Sequence, residues 1–544
     1  MDRRESLARL KAPRPFDILV IGGGATGCGV ALDAATRGLD TALVEQSDFA
    51  QGTSSKSTKL VHGGVRYLEK AVLGLDREQF ALVREGLRER GLFLRNAPHL
   101  AHSIRLMTPV TSWVQAGYVF AGLVLYDLLA GRLGLGRSAF VTRGKAQKLF
   151  PQLDLSGAVG AVTYRDGQFN DARMAVALAR TAQDHGAACA NHVEVTALLK
   201  ENGRLRGATL RDAFTGDSWD IAARAVVNAT GPFADGVRRM DDPAARDMLK
   251  VSSGIHILLD KSFAPEGLSL MIPSTEDGRV LFMIPWMGHV LFGTTDEPAD
   301  VERDPEASER DIDYLLSYAR KYLRRPPARS DVLAAWSGLR PLVFAPGKQG
   351  TQDLARTHVI EQSPSGLVSI TGGKWTSYRA MAEEAVDAAV KAFALDAGPC
   401  ATHELRLLGS RGFVPQGWRA LARRFGLDPE TARALHELHG DEAAQVAALG
   451  QAEGLMDRLH PAHPYILAQV AFAARREMAG RLADVLTRRL PLGLLEEAHA
   501  REAAPAAAAV MARELGWDEA ATQAEIASVV EGAARSAPAA GSPA

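Results

Sequence analysis

FDILVIGGGATGCGVALDAATRGLDTALVEQSDFAQGTSSKSTKLVHGGVRY, residues 16–67, is the stretch whose reading decides the fold. It opens with a short apolar strand, Ile18 to Ile21, and turns through Gly22, Gly24 and Gly27 at G-x-G-x-x-G spacing. A helical stretch and a second apolar strand follow, ending at Glu45. Glycines permit the tight turn and a close backbone approach to a pyrophosphate, and the helix behind them offers its positive end to the phosphates. Glu45 stands where the fingerprint places an acid, within reach of a ribose hydroxyl and repelling a 2′-phosphate. A glycine pattern alone is weak in a chain with 51 glycines. Strand, turn, helix, strand and acid in this order predict a dinucleotide-binding βαβ unit.

At 544 residues the chain is too long for one core, and about three domains are expected. Its 63 Lys and Arg balance 64 Asp and Glu, so no global field draws in nucleic acid. The three cysteines, Cys28, Cys189 and Cys400, are too far apart for metal-ligand spacing. They argue for a reducing compartment, and no metal site is expected. Residues 1–15 carry charge without an apolar core and are expected to be a tail rather than a secretory signal. The segment Trp113 to Leu129, WVQAGYVFAGLVLYDLL, is apolar and almost uncharged, at the short limit for a membrane span. Two readings stay open for it: a buried core helix, or a helix lying in one leaflet, whose interface Trp and Tyr favour.

Short apolar runs alternating with helical stretches predict an α/β protein. Three pieces, 16–95, 160–250 and 355–395, read as one discontinuous Rossmann-like domain. Residues 96–159 and 251–354 contribute strands such as IHILLD, VLFMIPWM and HVLFGTT, predicting an antiparallel-sheet domain for substrate and membrane contact. From 401 to 533 the composition shifts to Ala, Leu, Arg and Glu, predicting a C-terminal α-helical domain. Within it, REMAGRLADVLTRRL reads as an amphipathic helix, with Met478, Leu482, Val485 and Leu486 on one face and its arginines in solvent. Residues 534–544 read as a disordered tail.

Cofactor pieces scattered over nearly 400 residues suit a permanently held group, which favours FAD over NAD. The late turn at Gly372-Gly373 could aim a helix N-terminus at a flavin pyrimidine ring, with Lys374 adding charge. Six motifs then occur in order: TSSKSTKLVHGGVRYLE (53–69), GIHILL (254–259), FMIPW (282–286), FGTTD (292–296), SGLRPL (337–342) and GGKWTSYR (372–379). Together they closely resemble the FAD-dependent glycerol-3-phosphate dehydrogenases, respiratory enzymes of the D-amino-acid-oxidase-like superfamily. The C-terminal RREMAGRLADVLTRR is similar to that family's capping domain.

The resemblance implies oxidation of sn-glycerol 3-phosphate to dihydroxyacetone phosphate, with electrons passing through FAD to a membrane quinone. It further implies a homodimer peripherally bound, through residues 113–129, to the inner face of the cytoplasmic membrane. Arg340 would clamp the phosphate bidentately, with Arg66, Tyr67, Arg356 and Lys374 as further substrate contacts. His256 would take the hydroxyl proton as hydride leaves for the flavin, with His62 as its rival. Cofactor contacts are expected from Gly22, Gly23, Gly24, Thr26, Gly27 and Glu45 in the first turn. The continuation adds Thr53, Ser54, Ser55, Lys59, His62, Gly63 and Gly64. Val195, Thr230 and Gly231 come from the middle piece, and Gly373, Lys374 and Thr376 from the late turn. Two other classes stay open: a flavin oxidase of another hydroxy or amino acid, and a membrane-docked flavoprotein without turnover.

Overall fold

A computed structural model describes residues 2–64, 76–344 and 358–536. Arg66, Tyr67 and Arg356, and residues 537–544, lie outside these residues; the first part of the expected tail, 534–536, instead ends the helix Glu519–Ser536. The strand Phe16–Ile21 is almost wholly buried and the strand Thr41–Val44 entirely so, as apolar runs in a covered parallel sheet must be. Across the eight-stranded sheet, His358–Gln362, Leu367–Gly372, Ser218–Asn228, Phe16–Ile21, Thr41–Val44 and Ala188–Ala190 follow one another. Segments from early, middle and late in the chain therefore build one sheet. The helices Ala25–Thr36, Asp171–Asp184 and Tyr378–Phe393 cover one face, with Ile18, Val20, Val30, Leu178 and Met381 in the shared core.

Residues 2–15 are not a loose tail. Arg3–Leu10 is a helix, capped by Asp2, whose Leu10 is buried in the core on the other face of this sheet. Arg3 fastens it by a paired contact to Asp212 at 3.0 Å.

The second sheet has ten strands and is mostly antiparallel, with Leu268–Ile272 parallel to Ala101–Val110. It also holds Gly160–Phe169, which pairs with Ala101–Val110 along its whole length, so the break expected near 160 falls after Phe169. Leu60–Val61 joins the same sheet against Gly167 and Gln168. The opening run thus leaves the first sheet and enters the second.

The apolar segment forms the helix Trp113–Ala130, capped by Ser112, and it is not a core helix. In the stretch Trp113–Leu133 only 22% of the most apolar window is buried, and the helix is long and apolar enough to cross a membrane. Ala116, Leu123, Tyr126 and Ala130 face the protein, while Trp113, Val114 and Leu128 are 67%, 85% and 72% exposed.

After residue 400 the chain is helical, but REMAGRLADVLTRRL departs from the amphipathic helix expected. Met478 takes a positive φ of 55° and packs into the first-sheet core, whereas Leu482, Val485 and Leu486 pack into the helical domain. A π-helical turn, Asp484–Arg489, follows. Its Arg488 and Arg489 are buried, not solvated, because both grip the buried Asp48 at 2.6 Å. Arg173 binds Glu477 through two contacts of 2.6 and 2.8 Å. These buried pairs tie the helical domain to the back of the first turn.

Candidate active site

A cavity of about 1600 Å³ among the described residues runs from the glycine turn, across the second sheet, to the helix Trp113–Ala130. Its first wall is backbone. Gly22 has a φ of 107°, and a Cβ there would lie 2.7 Å from the Ala229 carbonyl oxygen. A Cβ on Gly27 would lie 1.8 Å from the Gly22 oxygen, so the helix Ala25–Thr36 can start only with glycine at that place. That helix has no side-chain cap at Gly24, and Ala25 N–H is met by Ser54 Oγ at 2.9 Å. Glu45 lines the cavity with its carboxylate held by the N–H groups of Gly23, at 2.6 Å, and Ser47, at 2.9 Å. Burial pushes that carboxyl above its ordinary range.

The late turn closes the opposite wall. Gly372 and Gly373 have φ of 82° and 71°. Thr376 Oγ1 contacts both the N–H and the carbonyl of His62 at 3.2 Å, and Trp375 Nε1 donates to the Ser54 carbonyl at 2.9 Å. An extended cavity with a glycine cradle at one end and a glycine-helix turn at the side fits a dinucleotide such as FAD. Gly22, Gly24, Thr26, Thr53, Ser54, His62, Gly63, Gly64, Val195, Thr230, Gly231, Gly373, Lys374 and Thr376 all line it.

Four expected cofactor contacts do not. Gly23 and Gly27 shape the turn from behind, and Ser55 is buried with its carbonyl turned to Lys59. Lys59 is wholly buried and paired with Asp171 at 2.7 Å, beneath Trp286 and Trp336. Its charge is already neutralised, which is why it is an internal anchor and not a cofactor ligand.

His256 and Arg340 stand on neighbouring strands, Leu249–Asp260 and Val332–Val343, with His256 opposite Trp336 and Arg340 opposite Ser252. Two glycines make room for them. A Cβ on Gly254 would lie 2.0 Å from Arg340 Nη2, and one on Gly293 would lie 2.5 Å from His256 Cδ2. Arg340 donates to Thr294 Oγ1 at 2.8 Å, Asp296 Oδ1 at 3.2 Å and the Ser253 carbonyl at 3.3 Å. These contacts fix the plane of the guanidinium at the cavity wall.

His256 is buried, stacks on Trp336 at 6.0 Å and meets Thr58 Oγ1 through Nε2 at 2.9 Å. Burial first, then the Arg340 and Lys59 cations, holds its imidazole well below the usual histidine range. It is therefore neutral at neutral pH, with one ring nitrogen unprotonated. His62 is worse placed as a base: its Nδ1 accepts the Gly64 N–H at 2.8 Å, and Nε2 faces Asp166 at 3.7 Å. Thr58, Thr294, Asp296, Gly254 and Gly293 were not among the expected site residues. All five lie inside quoted motifs, where the signal was a small or polar residue beside a candidate side chain.

Residues 17–388 match the FAD dependent oxidoreductase family, and residues 400–522 match the C-terminal domain of alpha-glycerophosphate oxidase. The chain is 46% identical over 537 residues to the mitochondrial glycerol-3-phosphate dehydrogenase of Mus musculus, covering 96% of this chain and 74% of that one. It is 43% identical over 538 residues to the mitochondrial enzyme of Arabidopsis thaliana, covering 95% and 86%. The glycerol-3-phosphate dehydrogenase of Bacillus halodurans, solved with FAD, superposes with a TM-score of 0.80 at 28% identity, covering 100% and 99%.

Proposed function

Because the chain belongs to the glycerol-3-phosphate dehydrogenase family of FAD-dependent oxidoreductases, we propose that this cavity oxidises sn-glycerol 3-phosphate to dihydroxyacetone phosphate. FAD is the cofactor, and when bound it accepts the hydride that leaves the substrate carbon. The observation that carries the reading is the pairing of an oriented guanidinium with a neutral imidazole on adjacent strands, in the cavity that begins at the glycine turn. Arg340 holds the phosphate by its planar fork, already aimed by Thr294 and Asp296. His256 takes the hydroxyl proton on a ring nitrogen. Lys374, at the mouth of the late turn, adds positive charge beside the developing alkoxide. Arg66 and Tyr67, carried by the motif 53–69, and Arg356, on the family resemblance alone, complete the substrate contacts.

The electrons pass to a membrane quinone, in a homodimer resting on the inner face of the cytoplasmic membrane through the helix Trp113–Ala130. Supporting this, Tyr118, Val119 and Leu125 of that helix line the cavity while Val114 and Leu128 face outward. An apolar acceptor would thus have a lipid-facing way in. The test is steady-state turnover with glycerol 3-phosphate and a short-chain quinone. Arg340→Ala should raise KM by about 10²–10³ with flavin retained, as expected for losing two charged hydrogen bonds. An unchanged KM would overturn the clamp. Peroxide formed in step with substrate would mark oxygen, not quinone, as the acceptor.

A further inference from the structure

Away from the cavity, histidines crowd the seam where the helical domain meets the second sheet. His460 and His463 come from the loop LHPAHPYI, and Glu496, His499 and Glu502 from the start of the helix Glu497–Leu515. One ring nitrogen from each of His460, His463 and His499 lies within 4.8 Å of the others. His463 Nε2 is 3.0 Å from His499 Nδ1, which is 2.7 Å from Glu496 Oε2. Glu502 Oε2 lies 3.0 Å from His460 Nε2. We propose that His460, His463 and His499 bind one divalent transition-metal ion, with zinc the best match and Glu496 set against His499.

Three imidazoles are donors for zinc and its first-row neighbours, not for magnesium or calcium. Tetrahedral zinc with ligands at about 2.0–2.1 Å sets its donors roughly 3.3 Å apart, so the His463–His499 pair at 3.0 Å would open slightly while the nitrogens that lie within 4.8 Å of one another draw in on the ion. An outer contact is present too. His289, held by the Met287 carbonyl at 3.0 Å, meets the second oxygen of Glu496 at 3.1 Å and orients that carboxylate. His499 and Glu496 are partly exposed, which gives an ion a path from solvent. The other compact group, Asp48, His192 and Asp484, differs because Arg488 and Arg489 already occupy its carboxylates. Bound zinc would staple loop, helix and sheet at a place remote from the glycine turn.

The FAD-loaded enzyme, stripped with a chelator, is titrated with zinc sulfate by calorimetry, and metal content is measured after dialysis. One zinc per chain and a Tm that rises with zinc concentration are expected. His463→Gln and His499→Gln, each checked for retained flavin absorbance, should weaken binding at least tenfold. If one variant loses its flavin, the other decides. No zinc uptake by the unaltered chain, or undiminished uptake by the folded variants, overturns the site.

Discussion

Two apolar helices of this chain meet opposite fates. In Ala25–Thr36 nine of the 12 residues are buried, whereas in Trp113–Ala130 only four of 18 are. The first is enclosed by the parallel sheet and by the helices Asp171–Asp184 and Tyr378–Phe393. Its small residues set those distances: a Cβ on Gly29 would already press on Tyr378 at 3.0 Å. The second has protein on one side only, where Ile104, Leu106 and Val162 receive Ala116 and Leu123. Apolar composition says that a helix leaves water, not what it enters. Small residues mark the helix that other helices approach; large aromatic and aliphatic ones mark the helix whose outer face is left open.

The sharpest way to break the contrast is at its buried pole. Gly27→Val places side-chain atoms on the Gly22 carbonyl, so we expect a loss of about 3 kcal/mol or more together with loss of flavin. Chemical denaturation and the flavin absorbance of the purified protein measure both. Retained flavin at unchanged stability would show that the turn is not closed as described.

Acid should also loosen the buried half, by a smaller amount. Burial, reinforced by Arg173, brings His99 and His439 down to about 3 in the folded chain. In the unfolded chain they titrate near about 6.5, so above that pH neither state gains a proton and stability is unaffected. Below it the unfolded chain takes up protons the folded one refuses, and stability falls as pH falls. Near pH 5.5 this costs about 1–3 kcal/mol for the pair. Thermal melts between pH 8 and 5 check the sign; a Tm that climbs on acidification contradicts it.

At the open pole the effect on stability should be smallest. Val114→Lys with Leu128→Lys should move unfolding by no more than about 0.5 kcal/mol, since both side chains already face outward. The same pair should abolish flotation with phospholipid vesicles. Undisturbed flotation would remove the membrane from the account.

What the sequence disclosed follows the same division. The glycine turn was legible because steric demands on backbone leave few residue choices, and Gly22 and Gly27 answer them directly. The pairing of His256 with Arg340 was legible only through the motifs that contain them. Nothing local says that Gly254 and Gly293 are cut away to admit these two side chains, because that depends on strand register. Lys59 misled for a related reason: a lysine in a cofactor motif gives no sign that Asp171, 112 residues on, neutralises it. Arg488 and Arg489 looked solvated because their partner Asp48 lies 440 residues away. Long-range charge pairing is invisible to periodicity.

The central claim is that the cavity beside the glycine turn holds a base and a phosphate clamp for one substrate. Anaerobic addition of glycerol 3-phosphate to the purified flavoprotein tests it most directly. The account predicts that the flavin absorbance bleaches, and that His256→Asn slows the bleaching by about 10²–10⁴ while the flavin stays bound. Absorbance that is unmoved by glycerol 3-phosphate but bleached by another hydroxy or amino acid would contradict it.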